Sequence, residues 1–226
     1  MKSNIFLRVI TCLLVTSYIS NVQAMAVDRQ EAYDFANQKG QELLTTFQEA
    51  DLQKRYAKLD ELFKQYIDTD YIARFVAGKY WRKMTPEQQQ RYSDIFVRYG
   101  LAYYKTLPLD VVKTANYEIL TVENDNNFTN VTASVGYKFN DESQKIALAF
   151  RIHQTNNGIK AIDVKVAESS MLLAYRSKFY KMIADADEEI EWFLEDFEDT
   201  TRALEDSLNE NSLKEQNSLE INVETL

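Results

Sequence analysis

Few side chains in this sequence could do covalent or acid–base chemistry, and their spacing argues against it. His153 is the only histidine and Cys12 the only cysteine. A Ser-His-Asp nucleophile or a transition-metal site has no supporting set around one histidine, and His153, at the end of an expected strand, is read as structural. Asp185, Asp187 and Glu189 alternate as a calcium loop does, but Ile190 stands where that loop needs glycine. They are read as a solvated acidic helix. No glycine-rich phosphate loop of the P-loop or dinucleotide type occurs, so nucleotide hydrolysis is not expected. Asn127-Phe128-Thr129 and Asn130-Val131-Thr132 match the glycosylation triplet, which an Asn- and Thr-rich hairpin also produces by chance. No catalytic residue, cofactor or metal is expected.

What the chain does carry is apolar surface, with 14 Tyr, 12 Phe and 2 Trp in 226 residues. Phe75, Tyr80, Trp81, Phe96, Tyr99, Tyr103 and Tyr104 stand out. They either fill a packed core, the commoner outcome, or wall a pocket with ring bodies inside and hydroxyl tips at its mouth.

Several elements must position these residues. Met1 to Ala24 reads as a secretory signal: Lys2 and Arg8 precede an apolar stretch from Val9 to Ile19, and Val22-Gln23-Ala24 has the small-residue cleavage pattern. Cys12 falls inside it, so the mature chain from about Met25 is expected to hold no thiol, which excludes thiolate chemistry. Helical spacing follows in Ala32, Phe35 and Ala36, then in Tyr56, Leu59, Phe63 and Tyr66, and then over about Asp70 to Trp81 with Ile72, Phe75, Val76 and Tyr80 on one face. Thr85-Pro86-Glu87-Gln88 has the pattern of a capping box, opening a helix with Tyr92, Ile95, Phe96, Tyr99 and Tyr103 that Pro108 should stop. From Asp110 the period becomes two. Strands are expected from about Val111 to Val122 and around Val131–Tyr137, Ile146–Ile152 and Ile162–Val166, joined by short Asn-rich turns as antiparallel hairpins. The helical period returns with Met171, Leu172, Tyr175, Phe179 and Met182 and continues through Ile190, Phe193, Phe197 and Leu204. Past about Asn209 the sequence is read as a disordered acidic tail. The order points to an α+β domain in which helices cover a curved antiparallel sheet of about four strands.

Charge is unevenly spread. The formal net charge is −9, yet Asp185 to Leu226 alone carries −13 and Met25 to Ala184 carries +2. An acidic whole disfavours nucleic acid and allows only transient contact with anionic membrane surfaces. The three expected units are therefore the signal at 1–24, a binding domain at 25–184 and an acidic helix and tail at 185–226.

One stretch is diagnostic. Asp68-Thr69-Asp70-Tyr71-Ile72-Ala73-Arg74-Phe75-Val76-Ala77-Gly78-Lys79-Tyr80-Trp81-Arg82, followed by Thr85-Pro86-Glu87-Gln88 and later by Tyr175-Arg176-Ser177-x-Phe179, resembles the MlaC, or toluene-tolerance, family of periplasmic phospholipid-binding proteins. The likeness spans about Asp28 to Ile183. It implies a cone related to the nuclear-transport-factor-like (NTF2-like) fold with an internal apolar cavity. It also implies a periplasmic carrier that shuttles glycerophospholipids between outer and inner membranes and maintains outer-membrane lipid asymmetry. The partners it implies are an outer-membrane lipoprotein–porin complex and an inner-membrane ABC transporter complex.

A cavity for two acyl chains needs roughly 1,000 Å³. By pattern, its wall is expected from Phe75, Val76, Ile146, Leu148, Phe150, Ile152, Leu172, Tyr175 and Phe179, with Tyr80, Trp81, Tyr103 and Tyr104 nearer the rim. Arg176 and Arg82 are the expected contacts for a headgroup or a docking partner, since a guanidinium fork suits either. Two other classes remain open: an enzyme using an apolar pocket in the same cone, and an envelope adaptor without a cavity.

Overall fold

In a computed structural model of the chain, the described residues are 25–106, 115–139 and 142–224. The signal segment with Cys12, Pro108 and the expected strand start at Val111 lie outside them. The helices are α1 (Arg29–Phe47), α2 (Leu52–Tyr66), α3 (Thr69–Ala77), α4 (Pro86–Lys105), α5 (Met171–Asp185) and α6 (Ile190–Glu224). The strands are β1 (Asn116–Asp125), β2 (Phe128–Phe139), β3 (Glu142–Thr155), β4 (Gly158–Val166) and the two-residue β5 (Ser169–Ser170). The fold is α+β, with a curved, open, five-stranded antiparallel meander in the order β1-β2-β3-β4-β5.

Local chemistry sets the helix ends. Asp28, Asp51, Asp68, Thr85 and Ser170 each accept a backbone N–H at the start of α1 to α5, satisfying donors that a first turn leaves orphaned. The expected capping box at Thr85 and Gln88 is complete. The helix expected over Asp70 to Trp81 stops early at Gly78, whose φ of +53° ends α3 before a 3-10 turn over Gly78–Lys83. A Cβ there would meet Tyr180 Oη at 2.2 Å, so only glycine lets α3 and α5 approach this closely.

Register assigns the sheet faces. Val131 pairs with Phe150, Ala133 with Leu148 and Val135 with Ile146, so these apolar residues share one face. On it α1 lays Ala32 and Ala36 against Val131 and Ile152, with Phe35, Ile119 and Phe150 packed around them. Helices reach the other face as well. There His153 meets Asp68 at the foot of α3, and Asp163 accepts hydrogen bonds from Leu172 N (2.9 Å) and Ser170 Oγ (2.7 Å) at the start of α5. Asp163 alternates as a solvent-facing residue should, but it is buried because it caps a helix.

The main core lies among α3, α4, α5 and α6. Tyr92, Phe179, Phe193 and Phe197 are fully buried, with Phe179 and Phe197 meeting edge-on at 4.8 Å between ring centroids. α6 adds a charged seam, Arg98 of α4 donating to Glu205 (3.0 and 2.6 Å) and Glu198 (2.7 Å), and just before α6 Glu188 accepts from Lys83 (3.0 Å). The chain past Asn209, expected to be an aperiodic tail, continues as helix to Glu224. No Gly or Pro occurs after Gly158, so nothing in the backbone stops it.

Removing the ring at the centre tests this packing. Phe179→Ala should cost about 3–5 kcal/mol in chemical denaturation; a loss below about 1 kcal/mol would show that the four helices do not depend on this contact.

Candidate functional site

The expected wall does not converge on one space. Phe75, Val76, Tyr80, Trp81, Leu172 and Phe179 belong to the helical core, with Tyr103 and Tyr175 packed at its edge. Phe150 and Ile152 belong to the separate cluster under α1. The expected wall residues are thus divided between two faces of the sheet, and the cause is the pleat: β3 points Phe150 and Ile152 to the α1 face, while α3 and α5 approach the opposite one. Tyr104 turns toward α2, where it stacks on Phe63 at 5.5 Å and donates to Asp60 Oδ1 at 2.6 Å. Ile146 and Leu148, with Val164 and Val166 beside them in register, are half-buried and lie in neither cluster.

A cleft of about 110 Å³ opens between α4 and α5, lined by Tyr99, Tyr103, Met171, Ala174, Tyr175 and Lys178. On α5 the last four fall at i, i+3, i+4 and i+7, a face that adjoins the buried one of Leu172, Phe179 and Ile183, with Tyr175 at the border. Met171 follows β5, which pairs with Lys165 and Val166, so the cleft lies beside the β4–β5 edge of the sheet. Tyr103 and Tyr175 meet edge-on at 5.7 Å and Tyr99 stacks on Tyr103 at 5.8 Å. Burial, with Tyr103 and Tyr99 alongside, pushes the Tyr175 phenol well up, so it stays protonated and can donate a hydrogen bond. Lys178 Nζ donates to Tyr99 Oη and lies 4.9 Å from the centre of that ring.

Of the expected lining residues, this cleft takes only Tyr103 and Tyr175. Lys178 was missed because it occupies the variable place in Tyr175-Arg176-Ser177-x-Phe179, although the α5 period alone puts it beside Met171 and Tyr175. Arg176 is engaged elsewhere: it donates to Tyr180 Oη at 3.0 Å and lies over the Phe75 ring at 4.9 Å. Arg82 is exposed on the 3-10 turn.

A second hollow of about 370 Å³ lies between α2, α4 and α6. Its wall mixes Asp60, Arg98, Lys105 and Glu205 with Leu101 and Leu208, and so many charges suit water better than hydrocarbon. Among the described residues, no three His, Cys, Asp or Glu side chains converge as metal ligands would, and no helix is long and apolar enough to cross a membrane.

The MlaC protein family model matches residues 37–199, well over half of the chain. The chain belongs to the MlaC family. The match takes in the opening turns of α6, further than the Ile183 limit drawn from sequence, and so includes Phe193 and Phe197 of the helical core. Among solved structures this MlaC-family chain is similar to a phospholipid-binding protein from Ralstonia solanacearum, in complex with a phospholipid, at 21% identity and a TM-score of 0.61. The alignment covers 79% of this chain and 99% of that one, and it establishes a shared fold. No curated protein matches.

The lone histidine has a structural place. His153 is 4% exposed, its Nε2 lies 2.8 Å from Asp68 Oδ2, and Tyr71 and Phe128 flank its ring. Burial alone would push the Asp68 carboxyl up, yet the hydrogen bonds with His153 and the Tyr71 backbone N–H hold it below its ordinary value of 3.8. A carboxyl depressed on folding stabilises the native state above its unfolded pKa, and that contribution is lost as pH falls through the folded one. Asp68→Asn should therefore cost about 1–3 kcal/mol at neutral pH. It should also flatten the loss of stability on acidification, as read by urea midpoints across the acid range; an unchanged acid limb would count against the pair.

Proposed function

We propose that this protein is a phospholipid carrier of the periplasm, shuttling glycerophospholipids between the outer and inner membranes and so maintaining outer-membrane lipid asymmetry. The observation that carries the reading is the family match over residues 37–199, and the R. solanacearum relative of the same fold, solved with a phospholipid bound, supports it. The energetics supply the motive. At about 0.8 kcal/mol per methylene, some thirty methylenes exposed to water cost roughly 24 kcal/mol, so unassisted transfer is very slow. A carrier lowers that cost with a dry apolar site and needs no acid, base, nucleophile or metal.

In this reading the acyl chains enter past the collar of Tyr99, Tyr103 and Tyr175, whose ring bodies line the cleft between α4 and α5. The cleft's 110 Å³ is far below the roughly 1,000 Å³ that two chains occupy, so loading requires α4 and α5 to part. Arg82, exposed on the 3-10 turn, offers positive charge to docking partners, namely an outer-membrane lipoprotein–porin complex and an inner-membrane ABC transporter complex.

Organic extraction of the purified protein followed by mass spectrometry should return intact phospholipid. Turnover products would favour an enzyme, and an empty extract would favour an adaptor. The parting of α4 from α5 has its own test, since Cys12 is the only native cysteine. Tyr103→Cys with Ala174→Cys, bridged by a cleavable thiol cross-linker, should stop lipid uptake from vesicles until the bridge is reduced; uptake undiminished by the bridge would place the route elsewhere.

A further inference from the structure

We propose that Lys178 is the phosphate contact of the carried lipid, so that the mouth of the α4–α5 cleft selects a phosphodiester headgroup over an uncharged one. The inference rests on the carrier reading and names the polar end of the same site. Lys178 Nζ lies 4.9 Å from the Tyr99 ring centre and 6.0 Å from that of Tyr103 and donates to Tyr99 Oη. No carboxylate pairs with it among the described residues, whereas Lys181, one turn on, is paired with Asp185. An ammonium has three donors. One is spent on Tyr99, a neutral partner that leaves the charge uncompensated, and Lys178 lines the cleft together with Tyr99, Tyr103 and Tyr175.

An anionic phosphate oxygen is the acceptor that gains most from such a donor, because a charge-assisted hydrogen bond is about twice as strong as a neutral one. The Tyr175 phenol, kept protonated in the same cleft, adds a neutral donor. Arg176, expected from sequence to take this role, already donates to Tyr180 and covers Phe75, and it does not line the cleft. The local cation matters more in a chain of net charge −9, whose overall field repels an anionic ligand.

Phosphate chemistry could come from a lipid headgroup or from the free ion, and the experiment separates them. The purified, delipidated protein is offered two fluorescent lipids with identical acyl chains, a phosphatidylglycerol and a diacylglycerol, from the same vesicles. Lys178→Gln should lower phosphatidylglycerol uptake about tenfold and leave diacylglycerol uptake unchanged, with Lys178→Arg close to wild type. Equal losses on both lipids would mark a structural role, and no loss on either would remove Lys178 from the site; both overturn the proposal. A wild-type protein that takes up neither lipid would instead overturn the carrier reading. If inorganic phosphate alone shields Lys178 from amine acylation as fully as phosphatidylglycerol vesicles do, the site is one for free phosphate and the headgroup assignment falls.

Discussion

The aromatic packing among Tyr92, Phe179, Phe193 and Phe197 is the interaction on which the other features depend. These rings come from α4, α5 and α6, and none reaches solvent. Burying an aromatic or large aliphatic side chain is worth about 1.5–3 kcal/mol. The seam of Arg98 with Glu198 and Glu205 is partly exposed, and pairs of that kind contribute about 0–1 kcal/mol. Hydrophobic burial therefore fixes where α6 lies, and the ion pairs refine its register. Because Phe179 turns inward, the adjoining face of α5, with Met171, Tyr175 and Lys178, runs along the border of the core, where it lines a cleft.

The sheet meets two different environments. Its α1 face is apolar and accepts Ala32 and Ala36 closely, helped by Gly40, where a Cβ would lie 2.4 Å from the Tyr117 ring. Its other face is held by polar anchors, Asp68 with His153 and Asp163 with the start of α5. Farther along the α1 face Ile146 and Leu148 belong to neither packed cluster and stay half-buried.

Much of this was legible in the sequence. Period-2 alternation around Val131, Phe150 and Val164 located the hairpins, and Thr85 to Gln88 announced α4, because capping and pleat are local rules. Three things were not. Gly78 at positive φ splits a periodic segment, since the close approach of Tyr180 that demands glycine is a tertiary fact. Phe150 and Phe179 share hydrophobicity but not a cavity, because periodicity says which face is apolar and not what covers it. Lys178 went unnoticed because a charged residue on a helix reads as solvated until its neighbours across the cleft are known.

Asp163 sits on β4 but caps α5, so the first turn of that helix is pinned to the sheet, while its later turns are tied to neighbouring helices, Lys178 donating to Tyr99 and Tyr180 accepting from the Lys79 backbone N–H. Tyr175 stands one turn beyond that anchor, so a twist of β4 would reach the cleft through a single carboxylate.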